Sequence, residues 1–250
     1  MVNNENHIQI ISDLLKEIGL SDRSGSILYS GNETIKKGDY YFLGTNPGSH
    51  KDELEEQFGS TDTVLTQLMK ENESFNEYFE GEWINKFTKK PDSPGQNQHQ
   101  INIKNFFQDL SLDLKLILST NLCFVRSIME HLYEGNLSID SKKCWNIHEY
   151  LLSIVKPRFI ICNGSKSREF IRKKMDIIHA EPPKFHGKNI SSTFHKGSLK
   201  LQGYDLTLED IGLFSVPHLS YFTYYPESTV WIEKMMKNYF DDQNYSVTVE

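Results

Sequence analysis

Four short apolar runs, at residues 40–43, 115–119, 159–162 and 213–216, each end in residues that stop a strand: Gly44-Thr45-Asn46-Pro47-Gly48, Thr120-Asn121, Asn163-Gly164 and Pro217-His218. Continuous apolar runs of this length suit strands covered on both faces, as in a parallel sheet. Helical periodicity fills the intervals, at residues 8–18, 61–70, 103–110, 142–155, 165–175 and 228–239, the last with Ser228 as its cap after Pro226. Strands alternating with helices predict an α/β fold, a three-layer αβα sandwich around a short, mainly parallel four-stranded sheet.

A chain of 250 residues with 38% hydrophobic content buries a sizeable core as one domain spanning residues 1–250, with a polar insertion at about 51–100. Within it, residues 89–100, KKPDSPGQNQHQ, read as a surface loop. No apolar run approaches the roughly 18 residues of a membrane span and the first residues lack a secretory pattern, so a soluble, cytoplasmic protein is expected. Cys123, Cys144 and Cys162 are spaced for neither a disulfide framework nor a CxxC metal site, and are expected as buried free thiols. His179, His186 and His195, read as lying in a Pro- and Gly-rich loop, lack ligand spacing, so neither a metal nor a cofactor is expected. No phosphate-cradling GxxxxGK motif occurs, which argues against nucleotide triphosphate hydrolysis.

The net charge of −7 hides a segregation: residues 140–200 hold 13 Lys and Arg against five acids, a net of +8, and the other 189 residues carry −15. Such a field suits a polyanion-binding face, with Lys166 and Arg168 among its candidates; a solvated basic helix face is the alternative.

In an open α/β sheet, ligands gather beyond the carboxyl ends of the strands. The candidate chemistry lies there. Gly44, Thr45 and Gly48 surround Asn46, which offers an acceptor and two donors in a turn whose glycines let backbone N–H groups approach a ligand. Asn-Pro-Gly also serves as an ordinary turn. Asn121 ends the second run, where an amide pairs with both a donor and an acceptor on one base edge, or simply caps a turn. His218 reads either as a structural histidine or as a donor at an anionic centre.

The joint order of GTNPG, STN, CNGS and PHLS, with the basic stretch before the last, resembles the uracil-DNA glycosylase superfamily. It is most similar to the branch of mismatch-specific, thymine-specific and single-strand-selective monofunctional enzymes, whose first motif GxNPG is matched in full by Gly44 to Gly48. The likeness spans roughly residues 39–225. It implies a DNA-binding enzyme, expected to act as a monomer, that extrudes a damaged or modified pyrimidine and hydrolyses its bond to the sugar. By resemblance, Asn46 positions the attacking water, Asn121 reads the base edge, and His218 bonds the base oxygen as charge develops.

Departures from the family pattern carry their own implications. Asn46 stands where the most active uracil glycosylases carry an acid, which implies slow turnover, since an amide orients water without taking its proton. Leu219 replaces the proline of the last motif, and the four cysteines of the iron-sulfur branch are missing. Phe58 is a candidate to stack on a flipped base, or a core residue. Ser220, Tyr221 and Phe222, with Tyr224 and Tyr225, are candidates for a DNA wedge, or for a staple on the last helix. Two alternatives stay open: excision of a hypermodified, for example glucosylated, cytosine from foreign DNA as antiviral defence, and a catalytically silent nucleic-acid-binding module.

Overall fold

The computed structural model describes residues 4–48, 63–64, 68, 74–85, 87–88, 90–127, 137–187, 190–219 and 226–245. Four parallel strands form where the apolar runs lie, β1 (Tyr40–Gly44), β2 (Leu118–Asn121), β3 (Phe159–Asn163) and β7 (Leu206–Val216), ordered β2-β1-β3-β7. The run at 115–119 is displaced: residues Leu114–Leu116 form a 3-10 turn capped by Asp113, and the strand starts only at Leu118. Alternation sends successive side chains to opposite faces. Tyr41, Leu43, Ile160, Cys162 and Leu213 enter one apolar core, and Phe42, Phe159, Ile161, Phe214 and Val216 the other. Helices α1 (Asn4–Glu17) and α4 (Leu137–Val155) supply Ile11, Leu15, Trp145 and Leu151 to the first core. The second core takes Ile103, Phe106 and Phe107 from α3 (Gln98–Asp109) and Ile232 and Met236 from α6 (Pro226–Tyr245). Both faces of β1, β2, β3 and of residues 211–216 of β7 are thus largely buried, which is why these stretches show no regular polar alternation. A one-turn helix, α2 (Glu77–Glu80), precedes α3, and α5 (Ser165–Arg172) follows β3.

The sheet is larger than predicted. Beyond β7 it continues antiparallel through β6 (Ile190–Leu201) to β4 (Met175–Ala180), and β5 (Lys184–Gly187) pairs with β6, making seven strands in a mixed sheet. His179, His186 and His195 therefore sit in three strands and not in a loop. These strands intersperse polar residues among apolar ones without a regular period, so they lack the continuous apolar signal of the parallel ones. The helix expected at 165–175 is shorter than predicted: α5 ends at Arg172, and Met175 opens β4.

Two boundary corrections bear on the site. Residues 98–100, expected in a loop, form the first turn of α3, because Asn97 and Gln100 make a reciprocal capping box. Helix α6 starts at Pro226, two residues before Ser228, the fixed φ of proline suiting a first turn. Residues 63, 64 and 68 are the only described part of the helix expected at 61–70. Among the described residues no helix is long and apolar enough to cross a membrane.

Candidate active site

Beyond its last paired residue, β1 stays zipped to the chain that leaves β2. The Gly44 and Thr45 carbonyls accept from the Leu122 and Cys123 amides at 3.0 and 2.9 Å, and the Pro47 carbonyl accepts from the Ser127 amide at 3.0 Å. This ladder presents Asn46 half-buried between them. The Asn46 Nδ2 donates to the Pro47 carbonyl at 3.0 Å and to Ser127 Oγ at 2.7 Å. Since a carbonyl only accepts, the amide nitrogen must face Pro47, so Oδ1 points the other way as an acceptor, and no donor meets it among the described residues.

On the neighbouring strand, Asn121 is aligned with Gly44 in parallel register. Both residues fall on the α3 side of the sheet, as do Ile161 and Asn163 two positions apart on β3. The Asn121 side-chain amide lies over Gly44, so closely that a Cβ there would overlap it. Asn121 is 8% exposed, yet its amide has no protein hydrogen-bond partner among the described residues. Behind it stands His148, fully buried, whose Nε2 donates to the Leu122 carbonyl at 3.1 Å while Nδ1 accepts from Tyr41 at 2.8 Å. Desolvation pushes this imidazole down to about 4, so it supports the Asn121 turn as a neutral ring.

The third element of the site is the turn after β7. The Leu219 amide donates to Asn163 Oδ1 at 2.9 Å, and its carbonyl accepts from Asn102 Nδ2 on α3 at 2.8 Å. Clamped at both backbone groups, Leu219 is 4% exposed and holds the half-buried His218 in place. Gly164 makes this approach feasible: its φ of +109 favours glycine, and an added Cβ would stand 3.2 Å from His218 Cδ2. The His218 ring stacks on His99 from the first turn of α3, with centroids 5.4 Å apart and planes tilted 34°. His99 in turn lies 5.6 Å from the Trp83 ring and meets Asn163 Nδ2 through Nε2 at 3.3 Å. Desolvation, with the His218 charge second, pushes His99 down to about 3.

Asn46, Gly44, Thr45, Gly48, Asn121 and His218 are thereby collected along one edge of the sheet. From β2 to β7 that edge spans three strand spacings, roughly 14 Å at the backbone. Phe58, Ser220, Tyr221 and Phe222 lie outside the described residues. The positive stretch does not make one face. Lys174 covers Trp145 at 4.7 Å on the α4 side, whereas Lys196 and Arg158 cover Tyr239 on the α6 side at 5.0 and 5.6 Å. Arg168 and Arg172 both pair with Glu169, at 2.9 and 3.0 Å. Lys166 is exposed in the first turn of α5, beside the carboxyl edge.

Sequence reasoning missed four residues here, and marked Asn163 as a strand end without giving it a role. Ser127 orients Asn46, and Arg126 Nη1 donates to the Gly48 carbonyl at 3.0 Å, a cation at the first motif that lies outside the basic stretch. Asn163, His99 and Trp83 complete the His218 end. The capping box Asn97-x-x-Gln100 before an apolar run was the signal that would have put His99 on a helix. A groove of about 480 Å³ at the β4 end of the sheet, lined by Ile178, Phe194, Lys196, Met235 and Tyr239, includes none of the site residues. Among the described residues no group of His, Cys, Asp and Glu is arranged to hold a metal ion. The sequence matches no protein-family model and no curated protein.

Proposed function

We propose that this protein is a monofunctional DNA glycosylase that extrudes a damaged or modified pyrimidine and hydrolyses its N-glycosidic bond. The observation that carries the reading is Asn121: a side chain 8% exposed, whose amide has no protein partner among the described residues and keeps contact with solvent, over a glycine at the carboxyl edge of a parallel sheet. Such an amide can exchange its water for a ligand that bonds both its donor and its acceptor. The edge of a pyrimidine offers that pair.

The remaining chemistry follows from the neighbours. Asn46 Oδ1 accepts from a water O–H and orients its oxygen toward the sugar carbon. As the carbon–nitrogen bond breaks, its electron pair leaves with the base, the water oxygen takes its place and the water proton passes to solvent. His218 donates to the oxygen on which the base gathers negative charge, a kind of interaction whose removal typically costs on the order of 10²- to 10³-fold in rate. With no general base in Asn46, turnover is slow.

Single-turnover base release from oligonucleotides carrying uracil, a thymine mismatch or glucosylated cytosine tests the reading, with Asn121→Ala and His218→Ala as controls. Release by the wild-type protein, abolished in both variants at unchanged melting temperature, is the expected result. DNA binding without release of any base would favour a silent binding module and overturn the enzymatic reading.

A further inference from the structure

His99 has no counterpart among the residues the motifs single out, yet its chemistry is tightly specified. The Leu219 N–H can only donate, so the Asn163 oxygen must face it and the Asn163 nitrogen must face His99. A ring nitrogen that accepts from an amide carries no proton. His99 Nε2 is therefore the bare nitrogen, and the proton of the neutral ring resides on Nδ1. Among the described residues no acceptor meets Nδ1. The ring is held between Trp83 and His218, so its orientation is as fixed as its tautomer.

Resting on the glycosylase reading, we propose that His99 is a second hydrogen-bond donor to the departing base: Asn163 fixes it as the Nδ1–H tautomer, and its stack against His218 sets that donor beside the first. Two neighbouring imidazoles then offer two N–H donors to the base carbonyl on which charge gathers, whose oxygen has two lone pairs to accept them. Because the donor is a neutral N–H held before the reaction starts, it needs no reorganisation as charge develops. The first turn of α3 is thus part of the binding machinery, and the capping box that starts the helix at residue 98 is what brings His99 to the sheet edge.

The tautomer is read directly by ring ¹⁵N NMR of the full chain, which should show a protonated Nδ1 and a bare Nε2 for His99 at neutral pH. Two variants remove the donor by different routes. His99→Phe keeps a ring for the stack. Asn163→Asp still accepts from the Leu219 amide but draws the His99 proton to Nε2, leaving the imidazole in place with its Nδ1 donor gone. Each should lower single-turnover release from uracil-containing single-stranded DNA on the order of 10²-fold, with DNA affinity and melting temperature held. A protonated Nε2 in the wild-type ring, or undiminished release in both variants, overturns the role of His99 alone. A wild-type protein that releases no base removes the glycosylase reading and this role with it.

Discussion

Gly44 and Asn121 are paired across parallel strands with the Asn121 amide lying where a Gly44 side chain would be. The glycine is thus the recess that the amide occupies. Gly44→Ala should displace Asn121 and abolish base release as Asn121→Ala is expected to do. The double variant should be no worse than either single one, because both remove the same interaction. Additive losses in single-turnover rates would mean that the two residues act separately.

Asn46 is oriented by an acceptor, the Pro47 carbonyl, and by Ser127. Replacing it by the carboxylate that would serve as a general base puts oxygen against oxygen at Pro47. Asn46→Asp should therefore not accelerate base release at neutral pH, and Asn46→Ala should abolish it while DNA affinity is kept. Ser127→Ala should have a smaller effect, about tenfold, since one net hydrogen bond is worth on the order of 1 kcal/mol. A faster Asn46→Asp enzyme would contradict the orientation assigned to the amide.

Acid should weaken the fold before carboxylates titrate. His148 and His99 are pushed down to about 4 and about 3 by burial, from an ordinary value of 6.5. Between those values the unfolded chain binds the protons that the folded protein refuses. The stability the neutral rings contribute is whole above 6.5 and declines progressively as pH falls toward about 4 and about 3. Each full unit of that window costs up to about 1.4 kcal/mol per histidine. With two histidines and about 1.5 units of that window between 6.5 and about 5, at roughly 2 to 4 °C per kcal/mol, the melting temperature should drop by on the order of 10 °C between about pH 7 and about pH 5. A flat profile across that range would contradict it.

Nucleic-acid affinity should depend on which cations stand at the carboxyl edge, not on the total of the basic stretch. Arg126 and Lys166 are placed there, whereas Lys174 and Arg158 cover Trp145 and Tyr239 on opposite sides of the sheet. Alanine at either of the first two should reduce the log–log salt slope of duplex binding by about 0.9 for each phosphate left unneutralised. Alanine at Lys174 or Arg158 should leave the slope unchanged. Equal effects at all four positions would mean that charge acts diffusely.

The parallel half of the fold was legible in the sequence because strands buried on both faces need no partner's identity to be read: 40–43 and 159–162 are apolar throughout, 213–216 is apolar but for Ser215, and the three are followed by Gly, Asn and Pro. That same punctuation marked Gly44, Asn46, Asn121 and His218, since ligands collect where such strands stop. What tertiary structure decided was everything whose meaning depends on a distant neighbour. Strands β4 to β6 have an open, half-solvated character that local sequence shares with loops, and only pairing with β7 makes them a sheet. The basic stretch is continuous along the chain but is divided between two faces by the strands that carry it. His99 acquires its chemistry from Asn163, 64 residues away, and Asn163 acquires its orientation from Leu219, 56 residues further along the chain. A tautomer is set by the hydrogen bonds around a ring, so no reading of the residue's own surroundings in sequence contains it.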